Sequence, residues 1–231
     1  MNGTVCVDAG AITDALTLEE QARIRAVLVT HAHMDHVSSL PFLVENVFGR
    51  KDSPLEIVAP EDVLASLRTH LFNDALWPDF SRLPNDLVPA VTFRAVAAFE
   101  PFVAAGLVAT AIPVSHVVPT FGYILEEPGT SVVFSGDTGP TDALWVATRA
   151  RTDVRGLFVE CSFPNSLQHL ADVSKHLTPA TLGSEIAKFP PGVSIHLYHM
   201  KPPTLERLRA DVATLGDARV SILADGDELE F

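Results

Sequence analysis

The sequence predicts a mixed α/β protein. Strand-like apolar runs alternate with helix-like stretches along the 231 residues, and no long linker interrupts them. Proline-led segments open several helices, each followed by apolar residues at helical spacing. Since 231 residues with 47% apolar side chains can bury one substantial core, we expect a single domain over residues 1–231.

The individual elements follow from local pattern. Strands are predicted where short apolar, β-branched runs end at polar or turn residues, namely at Ala26–Thr30, Thr92–Val96, Leu107–Val114, Phe121–Leu125, Ser131–Ser135, Gly156–Val159 and Val193–Tyr198. Helices are predicted at Val37–Phe48, Pro60–Asn73, Thr178–Lys188 and from Pro202-Pro203 onwards. A hairpin turn is predicted at Glu127-Pro-Gly129-Thr.

One dense run of metal-binding side chains follows the first of these strands. It reads Thr-His31-Ala-His33-Met-Asp35-His36. Residues two apart in an extended segment point the same way, so His31 and His33 can share one cation. The chain then turns into a predicted helix, which aims Asp35 and His36 at a second point and predicts two cations. An ordinary solvated turn would instead carry Gly, Asn, Ser or Lys, because nothing in turn chemistry favours repeated imidazole.

Further ligands are predicted at other strand ends. His116 follows Thr110–Ser115, His199 follows Val193–Tyr198, and Asp137 lies in a Gly-Asp-Thr-Gly turn after Ser131–Ser135. Loops at strand ends gather around pockets, so these side chains can converge with the first cluster. A carboxylate has two oxygens, which makes Asp137 the natural bridge between two cations.

These motifs carry a resemblance that covers nearly the whole chain. The His-x-His-x-Asp-His run, the lone His116, the Gly-Asp137-Thr turn and the late His199 resemble the metallo-β-lactamase superfamily of hydrolases. Several segments of the sequence are similar to segments of the class II cyclic-nucleotide phosphodiesterases: THAHMDHVSSLPFLVENVFG, LFNDALWPDF, FSGDTGPTDALW, VECSFPN, SKHLTP and HMKP. The resemblance implies an α/β fold of the αββα sandwich type.

The resemblance also implies a ligand set for two divalent cations. One cation would be held by His31, His33 and His116, the other by Asp35, His36 and His199, and both by Asp137. Imidazole and carboxylate suit zinc, although manganese or iron would also bind. His196, two residues into the strand pattern before His199, is expected to be an ordinary strand side chain.

The implied activity is metal-dependent hydrolysis of cAMP, or of cGMP, to the 5′-nucleotide by a metal-bridging hydroxide. Asp35, His176 and Glu160 are the predicted catalytic residues, with His176 as proton donor and Glu160 as the group that orients it. That pair is carried over from the related tRNA 3′-processing endonucleases; a surface His and a strand-end acid are the alternatives. Lys201 is predicted to bind the substrate phosphate, with a solvated lysine as its alternative.

Composition limits the classes of partner. The net charge of −13 argues against extended contact with nucleic acid, so a small cyclic nucleotide is the expected partner. No apolar run approaches the roughly 20 residues that span a bilayer. Cys6 and Cys161 make no disulfide framework, which favours a reducing compartment, the cytoplasm. The irregular segment Leu71–Pro89 is a candidate lid or homodimer contact, with ordinary packing of its aromatic side chains as the alternative.

One departure from the family and two rival functions complete the expectations. Members of the family carry an N-terminal β-hairpin before the strand end matched by Asp8-Ala9-Gly10, and this chain begins only a few residues earlier. We therefore expect the N-terminal hairpin to be missing. The rival functions are a tRNA 3′-processing endonuclease and a non-catalytic domain that binds a metal or a ligand.

Overall fold

The structure, a computed structural model, describes residues 2–85 and 87–231. The chain forms two compact units, residues 1–111 and residues 112–231. The expectation of a single domain over 1–231 stays a prediction. Among the described residues, no helix combines the length and the apolar character needed to cross a membrane.

The first unit is built on a parallel four-stranded sheet. Its strands lie in chain order and are β1 (Val5–Val7), β2 (Ala26–Leu28), β3 (Leu55–Ala59) and β4 (Val91–Ala95). Every residue of β2 is buried, as expected for a strand with two covered faces. An antiparallel hairpin of β5 (Pro101–Ala104) and β6 (Leu107–Pro113) follows, and the division between the units falls within β6.

The described residues of this unit form five α-helices: α1 (Ile12–Ala15), α2 (Leu18–Arg23), α3 (Met34–Val37), α4 (Leu40–Val47) and α5 (Glu61–His70). The helix predicted over Val37–Phe48 is observed over Leu40–Val47, and Val37 instead ends the separate short helix α3. Pro41 lacks the N–H that would bond to the carbonyl of Val37, so the α3 helix cannot run on unbroken. Helix α5 matches its predicted start and ends three residues before the predicted Asn73.

The second unit contains a mixed sheet. Its strands are β7 (Phe121–Glu127), β8 (Thr130–Phe134), β9 (Val154–Glu160), β10 (Ser194–Tyr198) and β11 (Val220–Ile222), in the order β11-β10-β9-β8-β7. Strands β7 and β8 form the predicted hairpin, with Glu127 opposite Thr130 and Gly129 at a φ of 81°. Strands β8 to β11 are mutually parallel, so their carboxyl ends meet at one edge.

Four helices complete this unit: α6 (Ala143–Arg149), α7 (Gln168–Ser174), α8 (Pro179–Ile186) and α9 (Leu205–Ala213). Helix α8 begins where the sequence predicts, since the Thr178 side chain accepts a hydrogen bond from the N–H of Thr181 and the Thr181 side chain accepts one from the N–H of Thr178. The core of the second unit is one cluster of buried apolar side chains from both the sheet and the helices, including Trp145, Leu157, Leu182, Leu197 and Leu208. This core holds the carboxyl ends of the strands in place.

Candidate metal and catalytic site

In the first unit, the predicted ligand run lies between β2 and the first turn of α3. His31 is fully buried and His36 is nearly so, whereas Asp35 is exposed. Nε2 of His31 lies 3.1 Å from Nδ1 of His33. Two nitrogens that bind the same tetrahedral zinc ion, each about 2.0–2.1 Å from it, lie roughly 3.3 Å apart. The spacing of these two ring nitrogens therefore fits a shared cation.

Asp8, at the end of β1, holds two of these histidines in a defined tautomer. Its carboxylate accepts hydrogen bonds from the Thr30 N–H (2.7 Å), the Thr30 hydroxyl (2.8 Å) and Nδ1 of His36 (2.7 Å). A carboxylate only accepts, so Nδ1 of His36 carries the proton and Nε2 presents the lone pair. The Thr30 hydroxyl gives its proton to Asp8 and so accepts from Nδ1 of His31, at 3.0 Å. This arrangement is typical of metal-binding histidines.

The sequence predicts no role for Asp8, which enters only as part of the Asp8-Ala9-Gly10 strand end that matches the family. The same signal that pointed to His116, Asp137 and His199, a polar residue directly after a strand, also marks Asp8, which follows β1.

Gly10 allows the loop after β1 to pack directly against the ligand run. A Cβ at this position would lie 1.9 Å from the carbonyl oxygen of Asp35. The hydroxyls of Ser38 and Ser39 both donate to the carbonyl of Gly10. Ser39 precedes α4, but its side chain caps no helical N–H. Both hydroxyls instead tie the ligand run to the first strand.

In the second unit, four predicted residues lie at strand ends. His116 follows β6, Asp137 follows β8, Glu160 is the last residue of β9, and His199 follows β10. Potential ligand atoms of His116, Asp137 and His176 lie within 4.8 Å of one another. Those of Glu160, His176 and His199 do so as well. The second unit therefore brings its predicted residues together.

Asp137 is held by a tight turn. The preceding Gly136 has a φ of 61°, in the left-handed region that favours glycine. The Asp137 side chain is only 2% exposed, and its Oδ1 lies 3.2 Å from Nδ1 of His199. Next in the turn, the Thr138 hydroxyl accepts a hydrogen bond from the N–H of Ser115 (3.1 Å), which links the turn to the residue before His116.

A buried acid contacts the predicted proton donor. Glu160 is fully buried, and its Oε1 accepts hydrogen bonds from Nδ1 of His176 (2.8 Å) and from the N–H of Thr138 (3.1 Å). Its Oε2 accepts from the hydroxyl of Ser162 (3.0 Å). The predicted pairing of Glu160 with His176 is thus present as a hydrogen bond, and the catalytic roles of the two residues stay predictions.

Ser162 connects this pair to the last predicted ligand. Its buried hydroxyl oxygen lies 3.2 Å from Nδ1 of His176 and 3.0 Å from Nδ1 of His199. Ser162 lies within the stretch VECSFPN, and the sequence predicts no role for it. The feature of the sequence that could have marked Ser162 is its position, two residues after the end of β9. One side chain therefore touches the acid, the candidate proton donor and a candidate ligand.

Lys201 lies beside His199. Its Nζ is 3.1 Å from Nε2 of His199, and its backbone N–H donates to the carbonyl of Ser162 (3.3 Å). His199 itself has a φ of 64°, an uncommon conformation for a residue with a Cβ. The predicted contact between Lys201 and a substrate phosphate stays a prediction. His196 is a side chain of β10, as expected.

The two cysteines take no part in either cluster. Both are free thiols, and burial raises the pKa of Cys6 to about 11 and that of Cys161 well above its usual value. Near neutral pH both therefore stay protonated and bind metal poorly. The donor set is imidazole and carboxylate, which is borderline to hard in character and fits zinc, manganese or iron.

The segment Leu71–Pro89, predicted to be a lid or a dimer contact, packs its aromatic side chains within the first unit. Phe72 contacts Phe93 and Phe80 contacts Phe48, each pair edge to face. Trp77 packs in the same way against Phe42. Asp86 of this segment lies outside the described residues. The lid and the homodimer stay predictions.

Comparison with known proteins defines the class of the chain. The model of the beta-lactamase superfamily domain matches residues 7–215. The chain belongs to this family, and both the predicted family and the predicted α/β metallo-β-lactamase fold are confirmed. Together with the His and Asp clusters, membership indicates a domain that binds divalent metal.

Particular relatives narrow the comparison. A probable 3′,5′-cyclic-nucleotide phosphodiesterase of Yersinia pestis is 27% identical over 228 residues, which cover 83% of this chain and 63% of the relative. The chain thus spans less than two thirds of that protein. A ribonuclease Z of Pyrococcus abyssi is 33% identical over 107 residues, 46% of this chain and 32% of the relative. Unliganded yeast PDE1 matches in structure with a TM-score of 0.78 and 20% identity, covering 90% of this chain and 69% of that one.

Proposed function

We propose that this protein is a dinuclear metal-dependent phosphodiesterase that hydrolyses a 3′,5′-cyclic nucleotide, cAMP or cGMP, to the 5′-nucleotide. In this proposal His31, His33 and His116 hold one cation, Asp35, His36 and His199 the other, and Asp137 both. Zinc is the proposed metal. The relative from Yersinia pestis supports the substrate class, because its similarity extends over 83% of the chain.

The observation that carries the proposal is the buried pair of Glu160 and His176 among the candidate ligands of the second unit. Opening the cyclic ester expels an alkoxide, which requires a proton as the P–O3′ bond breaks. His176 is not among the proposed ligands, so a buried acid that orients its ring is typical of a general acid, which a domain that only stores or senses a metal does not require. The pair therefore favours catalysis over the non-catalytic alternative.

Two bound divalent cations would supply an activated water and neutralise charge on the phosphoryl oxygens. The residues of the chain supply the rest. His176 directs Nδ1 to Glu160 and is left with Nε2 to deliver a proton to the departing 3′ oxygen. The Glu160 carboxylate lies beside the positive charge that the ring carries when both nitrogens are protonated. In this proposal Lys201 contacts a non-bridging oxygen of the phosphate, and Asp35 is both a metal ligand and a catalytic group.

Charge and coverage favour a small substrate over RNA. The net charge of −13 opposes contact with a long polyanion. A tRNA 3′-processing activity is the second candidate, and the ribonuclease Z relative favours it, although the similarity covers only 46% of the chain. We also propose a cytoplasmic location, because Cys6 and Cys161 are free thiols.

The test is a direct competition between substrates. Zinc-loaded protein is incubated with cAMP, cGMP and a tRNA precursor, and the products are separated by chromatography and gel electrophoresis. We expect 5′-nucleotide from a cyclic nucleotide and an intact tRNA. Trimmed tRNA without cyclic-nucleotide hydrolysis would establish the second candidate. Folded protein with two bound cations and neither product would establish a non-catalytic domain.

A further inference from the structure

We propose that Lys175 is a positioning residue that holds His116 in the tautomer and orientation a metal ligand requires. The proposal rests on the proposed function in one respect, the role of His116 as a ligand. It concerns a residue that lies between the candidate proton donor His176 and the end of α7.

Lys175 and His116 are joined by two reciprocal hydrogen bonds. Nδ1 of His116 lies 3.1 Å from the carbonyl oxygen of Lys175, and Nζ of Lys175 donates to the carbonyl of His116 at 3.0 Å. A carbonyl oxygen only accepts, so the first bond exists only when Nδ1 of His116 carries its proton. The neutral ring then presents the lone pair of Nε2. Histidine ligands are commonly held in this way by a backbone carbonyl.

The backbone conformation of Lys175 is what points its carbonyl at His116. Lys175 ends α7 in the left-handed region, with φ 54° and ψ 59°, and its N–H still bonds back to Ala171 and Asp172. Glycine or asparagine usually occupies such a position, because a larger side chain is disfavoured there. A lysine at this position indicates that its side chain contributes something, and the bond from Nζ to the His116 carbonyl identifies the contribution.

The same turn also positions the candidate proton donor. The N–H of His176 bonds to the carbonyl of Ala171 at 2.9 Å, and its ring centroid lies 5.0 Å from that of His116 in an edge-to-face contact. Gly139, in the turn after Asp137, would place a Cβ 3.5 Å from Cα of Lys175. One left-handed residue therefore lies against three parts of the candidate site in the second unit.

The contribution of the backbone and that of the side chain can be separated by substitution. Lys175→Met and Lys175→Gly both lack the ammonium, and both leave the carbonyl in place. Lys175→Val lacks the ammonium and also disfavours the left-handed conformation, because its side chain is β-branched. The matched control is Lys188→Met, since Lys188 also donates to a backbone carbonyl, that of Thr141 at 3.0 Å, outside the site.

Two measurements are made on each variant: the tautomer of His116 by ¹⁵N NMR of the metal-free protein, and zinc affinity by competition with a chelator. We expect Nδ1–H in the wild type, in K175M and in K175G, with zinc affinity about five-fold lower in these two variants, the equivalent of one ordinary hydrogen bond. In K175V we expect a mixed tautomer and a loss of about 10- to 100-fold in affinity. K188M is expected to lower the melting temperature and to leave the tautomer and zinc affinity unchanged.

A wild-type tautomer and wild-type zinc affinity in folded K175V would overturn the proposal. If K175V does not fold, Lys175→Ala imposes a milder form of the same strain and is judged by the same criteria. The tautomer is read without metal and without substrate, so it tests Lys175 even if the protein hydrolyses no cyclic nucleotide. In that case the proposed function fails, while an altered tautomer in K175V still supports the positioning role.

Discussion

The two units assemble their candidate ligands in opposite ways. In the first unit, three imidazoles and a carboxylate come from six consecutive residues, and a single carboxylate, Asp8, together with Thr30 orients two of the imidazoles, those of His31 and His36. In the second unit, each candidate ligand comes from a different strand end, and separate groups contact them: Ser162 contacts His199, and the backbone carbonyl of Lys175 contacts His116.

A compact motif can depend on one support, whereas a dispersed motif needs a network of contacts. Four ligands within six residues share their backbone, so a single hydrogen-bonded anchor can orient two of them, His31 and His36. Ligands from separate strands share nothing locally, and each needs its own contact. Three substitutions test this contrast and a fourth lies outside both clusters; they follow in descending order of expected effect.

Asp137→Ala should have the largest effect, because it removes the proposed bridge and the carboxylate beside His199. We expect turnover at background and the loss of at least one of the two cations, measured by elemental analysis of the folded protein. The control is Asp142→Ala, an exposed acid five residues on that pairs with Lys188. Two cations bound at wild-type affinity in D137A would contradict the bridging role.

His176→Gln should lower turnover by about 10²- to 10⁴-fold, the usual contribution of a general acid, and leave metal content unchanged. An aryl phosphodiester with a good leaving group needs less protonation, so it should be slowed much less. The measurement is kcat for both substrates. Equal slowing of the two would exclude proton donation by His176. The exposed His169, replaced in the same way, serves as the control.

Asp8→Asn should weaken metal binding by about 10- to 100-fold, because the carboxylate uses both oxygens, one for the Thr30 N–H and one for the Thr30 hydroxyl and His36, whereas the amide has only one acceptor oxygen. We also expect a loss of about 1–3 kcal/mol in the free energy of unfolding, typical of a disrupted buried hydrogen bond. Zinc competition and urea denaturation measure the two effects. Unchanged zinc affinity in D8N would show that the first unit does not depend on this one support. Asp14→Asn on the neighbouring helix α1 is the control.

His196→Phe should have the smallest effect and concerns neither cluster. Burial lowers the pKa of His196 below its ordinary value of 6.5. The unfolded chain therefore binds this proton more readily, and the free energy of unfolding falls as pH drops below about 6.5. In H196F, whose ring keeps the contacts with Phe158 and Phe231, the melting temperature should fall less between pH 7 and pH 5. An unchanged slope would assign the acid sensitivity to other groups.

Much of the fold could be predicted because its signals are local. Proline and threonine at the start of α8, the turn at Gly129 and the apolar runs of β8, β9 and β10 are each decided within a few residues. The helix predicted over Val37–Phe48 begins only at Leu40, because Pro41 lacks the N–H that would bond to the carbonyl of Val37. The helix is interrupted at Ser38 and Ser39, whose hydroxyls donate hydrogen bonds to the carbonyl of Gly10.

The family, the dense ligand run and the residues at the strand ends can be read from the amino-acid sequence, because each depends on neighbours in the chain. The contact of Asp8 with His36, the link that Ser162 makes between His176 and His199, and the lysine carbonyl that faces His116 are visible only in the folded molecule. Hydrogen bonds between residues far apart in sequence depend on strand register and on the conformation of single turns. A linear pattern does not encode those distances, since they arise only when the sheet and the loops at its edge have packed.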